Sequence, residues 1–200
     1  MTSIRHNGPG DGLLDAAREC LLAVGWRRTT LTDVARRAGV SRMTIYRRWP
    51  DMQTLLSDLM TREWAGMAQG VAAAADGSPR DRLAAGVAAT VAALRENELF
   101  RKIVRVDPEL LLPYLLDRRG RTQDSVLELL ESMIREGQDD GTVRRDDPVL
   151  LARSVLLTAH GFALSAQTMA AETMAGEADG PTVAELDAEL RRAVERYLQP

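Results

Sequence analysis

Residues 25–56 read GWRRTTLTDVARRAGVSRMTIYRRWPDMQTLL. Thr30 stands where a helix N-cap is wanted, and Asp33, three residues on, completes the capping-box start signal. Leu31, Val34, Ala35 and Ala38 recur at helical spacing and give that helix one apolar face. Gly39 supplies the backbone freedom that a helix-ending turn requires, Val40 plugs the corner, and Ser41 caps a second helix beginning at Arg42. Only Ile45 and Trp49 of the second helix point inward, four residues apart. Arg42, Met43, Thr44, Arg47 and Arg48 are left facing outward, with Tyr46 at the margin. Pro50 stops the helix, because its ring and missing N–H disfavour continuation, and Asp51 is placed to cap the next one.

Two helices joined by a short turn containing Gly form a helix-turn-helix, whose second helix enters the major groove of DNA. The charge agrees with this reading. Between Arg27 and Arg48 there are seven arginines (27, 28, 36, 37, 42, 47 and 48) against a single acid, Asp33, in a chain whose net charge is −3. An acidic protein that gathers positive charge on one small element is placing it against something anionic.

The run AGVSRMTIYRRWPDMQTL from Ala38 to Leu55, with the upstream G-W-x-x-T-T-L-T-D-V-A from Gly25, closely resembles the DNA-binding segment of the TetR family of transcriptional repressors. The resemblance covers roughly residues 12–58; beyond it the chain is similar to the family only in length and helical layout. Two departures stand out. Met43 takes a position where the family usually has a small residue or Pro, making the base-facing surface bulkier and more apolar. Met52 stands where a Lys commonly opens the next helix and grips a phosphate, so Arg47 or Arg48 is expected to supply that charge.

At 200 residues with 45% apolar content, the chain is long enough to bury a real core. Aromatics are only 4% and no period-two alternation marks a strand, so the expected fold class is all-α. The expected organisation is a flexible tail at 1–10, a three-helix helix-turn-helix domain at 11–50, and a larger helical ligand-binding and dimerisation domain at 51–200. Cys20 has no second cysteine to pair with and is read as a small core hydrophobe. The first ten residues lack the apolar centre of a signal peptide, and no run of eighteen apolar residues marks a membrane span; a cytoplasmic protein is expected.

Residues 51–75 read as one long helix of about 37 Å. Pro108 and Pro113 break a run of short apolar pieces, and residues 121–137 form a further helix expected to end at Gly137. From Pro148 the sequence VLLARSVLLTAHGFALSAQ is apolar nearly all round, which calls for burial on more than one side. A second copy of the chain provides the other side, so residues 148–167 and 182–198 are the expected homodimer interface. The segment 175–181 is read as a linker.

No G-x-S-x-G, P-loop, G-x-G-x-x-G or H-E-x-x-H pattern occurs, so no catalytic residue, metal ligand or cofactor is assigned. His160, alone in the apolar helix, is read as a core or interface residue. Base edges are assigned to Arg42, Met43 and Thr44, and phosphates to Thr30, Thr32, Tyr46, Arg47 and Arg48, with Ser41 as the cap between them. The family resemblance implies an effector cavity in the larger domain; the lining candidates are Trp64, Met67, Phe100, Val104, Tyr114, Leu115, Leu130, Met133, Thr158 and Phe162. The expected function is a DNA-binding repressor that holds a palindromic operator as a homodimer and is released by a small hydrophobic ligand. The alternative is a small-molecule-binding helical protein or enzyme on the same scaffold, without operator binding.

Overall fold

The computed structural model describes residues 11–74, 76–170 and 180–200, and no strand occurs among them. The tail expected at 1–10 and most of the linker expected at 175–181 lie outside the described residues. In chain order the helices are α1 (Asp11–Val24), α2 (Leu31–Arg37), α3 (Arg42–Arg48), α4 (Met52–Met60), α5 (Gly66–Ala74), α6 (Pro79–Glu96), α7 (Glu98–Val106), α8 (Leu112–Leu116), α9 (Arg121–Asp139), α10 (Pro148–Met169) and α11 (Val183–Leu198). Short 3-10 turns occupy Trp26–Arg28 and Pro108–Leu110. The long helix expected over 51–75 is interrupted by a π segment, Thr61–Ala65, between α4 and α5.

Packing divides the chain into two compact units, Met1–Glu63 with Asn97–Arg121, and Trp64–Glu96 with Thr122–Pro200. The sequence boundary at 50/51 does not coincide with this division. Residues distant in the chain, 97–121, fold back onto the N-terminal helices, and no local pattern announces such a return.

In the first unit α1 packs on α2, α4 and α7, and α2 packs on α3. Leu13, Leu14, Ala17 and Leu21 of α1 are buried with Leu31, Val34 and Ala35 of α2, Leu55, Leu56 and Leu59 of α4, and Leu99, Phe100 and Ile103 of α7. Cys20 is buried among them, and that burial raises its thiol pKa, opposed by the neighbouring Arg37. A polar clasp holds the return segment in place. The buried Asp107 carboxylate accepts the Trp26 N–H at 2.9 Å, and Arg27 pairs with Glu109 at 2.8 Å. Gly25 sits at φ 81, and a Cβ there would approach Asp107 Oδ2 to 3.1 Å, so the position has both a conformational and a steric need for glycine.

The second unit is built on α6, α9, α10 and α11, with Leu83, Val91, Leu127, Leu130, Ile134, Leu151, Val155, Leu190, Val194 and Leu198 in one core. Arg95 is buried within this unit. Its guanidinium donates to both oxygens of Asp187 at 2.5 Å and to the Phe162 carbonyl at 3.3 Å, so α6, α10 and α11 meet on one charge-assisted node. Gly137, expected to end its helix, lies inside α9; a Cβ there would run into Val143, so the glycine serves close packing rather than termination. Helix α10 is long and apolar enough to span a membrane by length and composition alone, with 28% of that window buried. It buries Leu151, Ala152, Val155, Ala163 and Ala166, while Leu150 and Leu157 stay 59% and 70% exposed.

Candidate nucleic-acid interface

Each helix of the helix-turn-helix begins on the cap its sequence announces. Thr30 Oγ1 accepts the Asp33 N–H at 3.2 Å while Asp33 accepts the Thr30 N–H at 3.2 Å, which closes the capping box of α2. The Thr30 hydroxyl, donating to the same carboxylate, is the main cause that holds the Asp33 pKa below the ordinary aspartate value. Gly39 turns the chain at φ 68, and Ser41 Oγ accepts the Thr44 N–H at 3.2 Å to start α3. Asp51 caps α4 by accepting the Thr54 N–H at 2.7 Å, and that bond lowers its pKa.

Helix α3 is anchored by its two inward residues. Ile45 is fully buried and Trp49 is 1% exposed. The Trp49 indole N–H donates to Asp58 of α4 at 2.7 Å, and Asp58 also pairs with Arg121. This fixes the helix by its base and leaves Arg42, Met43, Tyr46, Arg47 and Arg48 exposed on the opposite side. Thr44, expected to face outward, is half-buried, and its hydroxyl shares a hydrogen bond with Ser41 Oγ at 2.9 Å. The N-cap geometry that starts the helix draws Thr44 back toward Ser41. Thr30 is exposed and Thr32 half-buried, both at the start of α2, where the Asp33 carboxylate already takes the Thr30 N–H and hydroxyl. Met52 is half-buried on α4.

The basic charge is distributed less evenly than the sequence implies. Arg36 pairs with Asp33 at 2.7 Å, Arg37 with Glu19 at 2.9 Å and Arg27 with Glu109 at 2.8 Å, while Arg28 Nε donates to the Val24 carbonyl at 3.0 Å. Among the described residues no carboxylate pairs with Arg42, Arg47 or Arg48; the Arg48 guanidinium lies 4.8 Å from the Trp49 ring centroid. The cations of the segment without a carboxylate partner among the described residues are therefore those of α3 together with Arg28, which rests on a neutral carbonyl. Glu19, Asp58, Asp107, Glu109 and Arg121 shape this surface, and sequence reading missed all five, because each acts on a partner remote in the chain.

The candidate effector residues are split by the two units. Phe100, Val104, Tyr114 and Leu115 belong to the first, and Trp64, Met67, Leu130, Met133, Thr158 and Phe162 to the second. Leu130 and Met133 lie in the core of the second unit and Phe162 packs against it, whereas Thr158 is exposed on α10, its hydroxyl donating to the Ser154 carbonyl at 2.9 Å. Leu115 is 40% exposed. His160 is half-buried on α10, and burial alone lowers its pKa, with no carboxylate contributing. No group of side chains fit to hold a metal ion occurs among the described residues.

Residues 13–59 match the family model described as bacterial regulatory proteins, tetR family. The chain is 36% identical over 157 residues, 78% of its own length and 81% of the relative's, to an uncharacterised HTH-type transcriptional regulator of Mycobacterium bovis. Among solved structures it resembles the repressor AlkX of Dietzia, implicated in n-alkane biodegradation, with a TM-score of 0.67 at 20% identity and 95% of each chain covered. It also resembles FadR of Bacillus subtilis in complex with stearoyl-CoA, with a TM-score of 0.63 at 15% identity over 94% of this chain and 98% of that one.

Proposed function

Because this chain belongs to the TetR family of bacterial transcriptional regulators, and so is a regulator and not an enzyme, we propose that it is a repressor acting in the cytoplasm on a palindromic operator. The observation that carries the reading is the set of outward arginines on α3, unpaired by any described carboxylate, on a helix locked from behind by Ile45 and Trp49. Arg42 is assigned to a guanine edge, the commonest specific contact of an arginine in the major groove. Arg47, Arg48, Tyr46, Thr30 and Thr32 hold phosphates and set register.

The operator is bound by a homodimer whose two α3 helices enter successive major grooves, about 34 Å apart. Leu150, Leu157, Thr158, Gly161 and Ser165 follow one another on the exposed side of α10, and this stripe of leucines and small residues supports a close helix-to-helix interface there, with α11 assigned as its second helix. The effector is a small hydrophobic ligand, held in the second unit by side chains drawn from Trp64, Met67, Leu130, Met133 and Phe162. The stearoyl-CoA complex of FadR supports that chemistry by analogy of fold. Such a ligand releases DNA only to the extent that it binds the released form more tightly.

The direct test is retardation of a fragment from the region upstream of the protein's own gene. Salt-sensitive retardation supports the reading, and no retardation of this fragment or of any selected duplex overturns it. A monomer at micromolar concentration in sedimentation removes the interface. A bound fragment that stays bound through a panel of hydrophobic compounds, long-chain acyl-CoA included, removes the effector.

A further inference from the structure

We infer that Met43 reads the 5-methyl group of one thymine in each operator half-site, an assignment that rests on α3 entering the major groove. Met43 lies in the first turn of α3 and is 79% exposed; no large apolar side chain among the described residues is more exposed. It supports no core, since Ile45 and Trp49 take the whole inward side of the helix. Its neighbours narrow what the first turn offers to a base edge. Thr44 is half-buried and its hydroxyl shares a hydrogen bond with Ser41 Oγ at 2.9 Å, while Arg42 is exposed without a carboxylate partner among the described residues. The exposed side chains in the first turn of α3 are one guanidinium and one thioether.

A thioether carries no N–H or O–H and accepts hydrogen bonds only weakly. Set against guanine N7 and O6, adenine N6 or cytosine N4, it strips water from a polar group and returns nothing for it. Thymine alone presents a methyl group in the major groove. The unbranched side chain adapts its rotamers to such a target with little strain. Met43 therefore selects for an A·T pair by apolar contact and against the other edges by desolvation.

The test begins with duplexes selected by the wild-type protein from a random-sequence pool. Each thymine of the selected half-site is then replaced in turn by deoxyuridine, which removes the methyl group and keeps the base pair. One position per half-site should weaken binding about 4-fold, and both half-sites together about 15-fold, the worth of one buried methyl group at each. Met43→Ala should bind the thymine and uracil duplexes alike at that position, and Met43→Leu, which keeps an apolar end, should still discriminate. Thermal unfolding of both variants should match wild type, as the side chain touches no core. The assignment is overturned if no uracil substitution weakens wild-type binding, or if Met43→Ala keeps the full uracil sensitivity at every position. A protein that retains no duplex from the pool overturns the DNA-binding reading itself, and this one with it.

Discussion

Arg48→Ala and Arg27→Ala remove the same charge from the same segment, yet the structure assigns them opposite consequences. Arg48 is exposed on α3 with the Trp49 ring at 4.8 Å and no carboxylate partner among the described residues, so its charge is available to a phosphate. Arg27 is held by Glu109 at 2.8 Å and adds little net potential. Each phosphate neutralised contributes about 0.9 to the slope of log affinity against log salt. In the proposed homodimer, Arg48→Ala removes two such contacts, and the slope should become shallower by about 1.8. Between 50 and 200 mM salt that difference amounts to roughly 12-fold less loss of affinity than wild type suffers. Arg27→Ala should change the slope by less than about 0.5. The assay is fluorescence anisotropy of a labelled selected duplex, titrated at four or five salt concentrations. An Arg27→Ala slope change equal to that of Arg48→Ala would refute the argument, because the Glu109 pair would then not withhold the charge. An unchanged Arg48→Ala slope would remove its phosphate contact.

Three further perturbations act on the scaffold. Ile45→Ala, at a fully buried position, should cost about 2–5 kcal/mol in denaturant unfolding and take DNA binding with it; a loss under about 1 kcal/mol would show that the helix is not anchored there. Asp107→Ala orphans the Trp26 N–H and should destabilise by about 1–3 kcal/mol, while Gly25→Ala should destabilise through its positive φ and the approach to Asp107; normal thermal unfolding of both would dismiss the clasp. His160 is held below its ordinary 6.5 by burial, so the folded chain stays neutral where the unfolded chain takes up a proton. Its contribution is complete above pH 6.5 and is lost as pH falls toward the folded value; His160→Gln should flatten the stability profile over that interval.

Local physics was sufficient for the reading head. The caps Thr30, Ser41 and Asp51, the turn at Gly39 and the stop at Pro50 are set by residues within four positions of one another, and each appears in the structure where the pattern places it. Ile45 and Trp49 were legible as the inward pair because helical periodicity alone sorts them from their neighbours. The same logic failed at Gly137, where a remote Val143 demands the small residue, and at Thr44, where a cap hydrogen bond outweighs the outward position. It also gave no notice that residues 97–121 return to the N-terminal unit. Seven arginines are visible in the sequence of the head, but which of them keep a free charge depends on Glu19 and Glu109, brought close only by packing. Composition and spacing determined that a basic helix would stand at the surface; tertiary contacts decided which of its charges remain for DNA, because an ion pair depends on distance in space and not on distance along the chain.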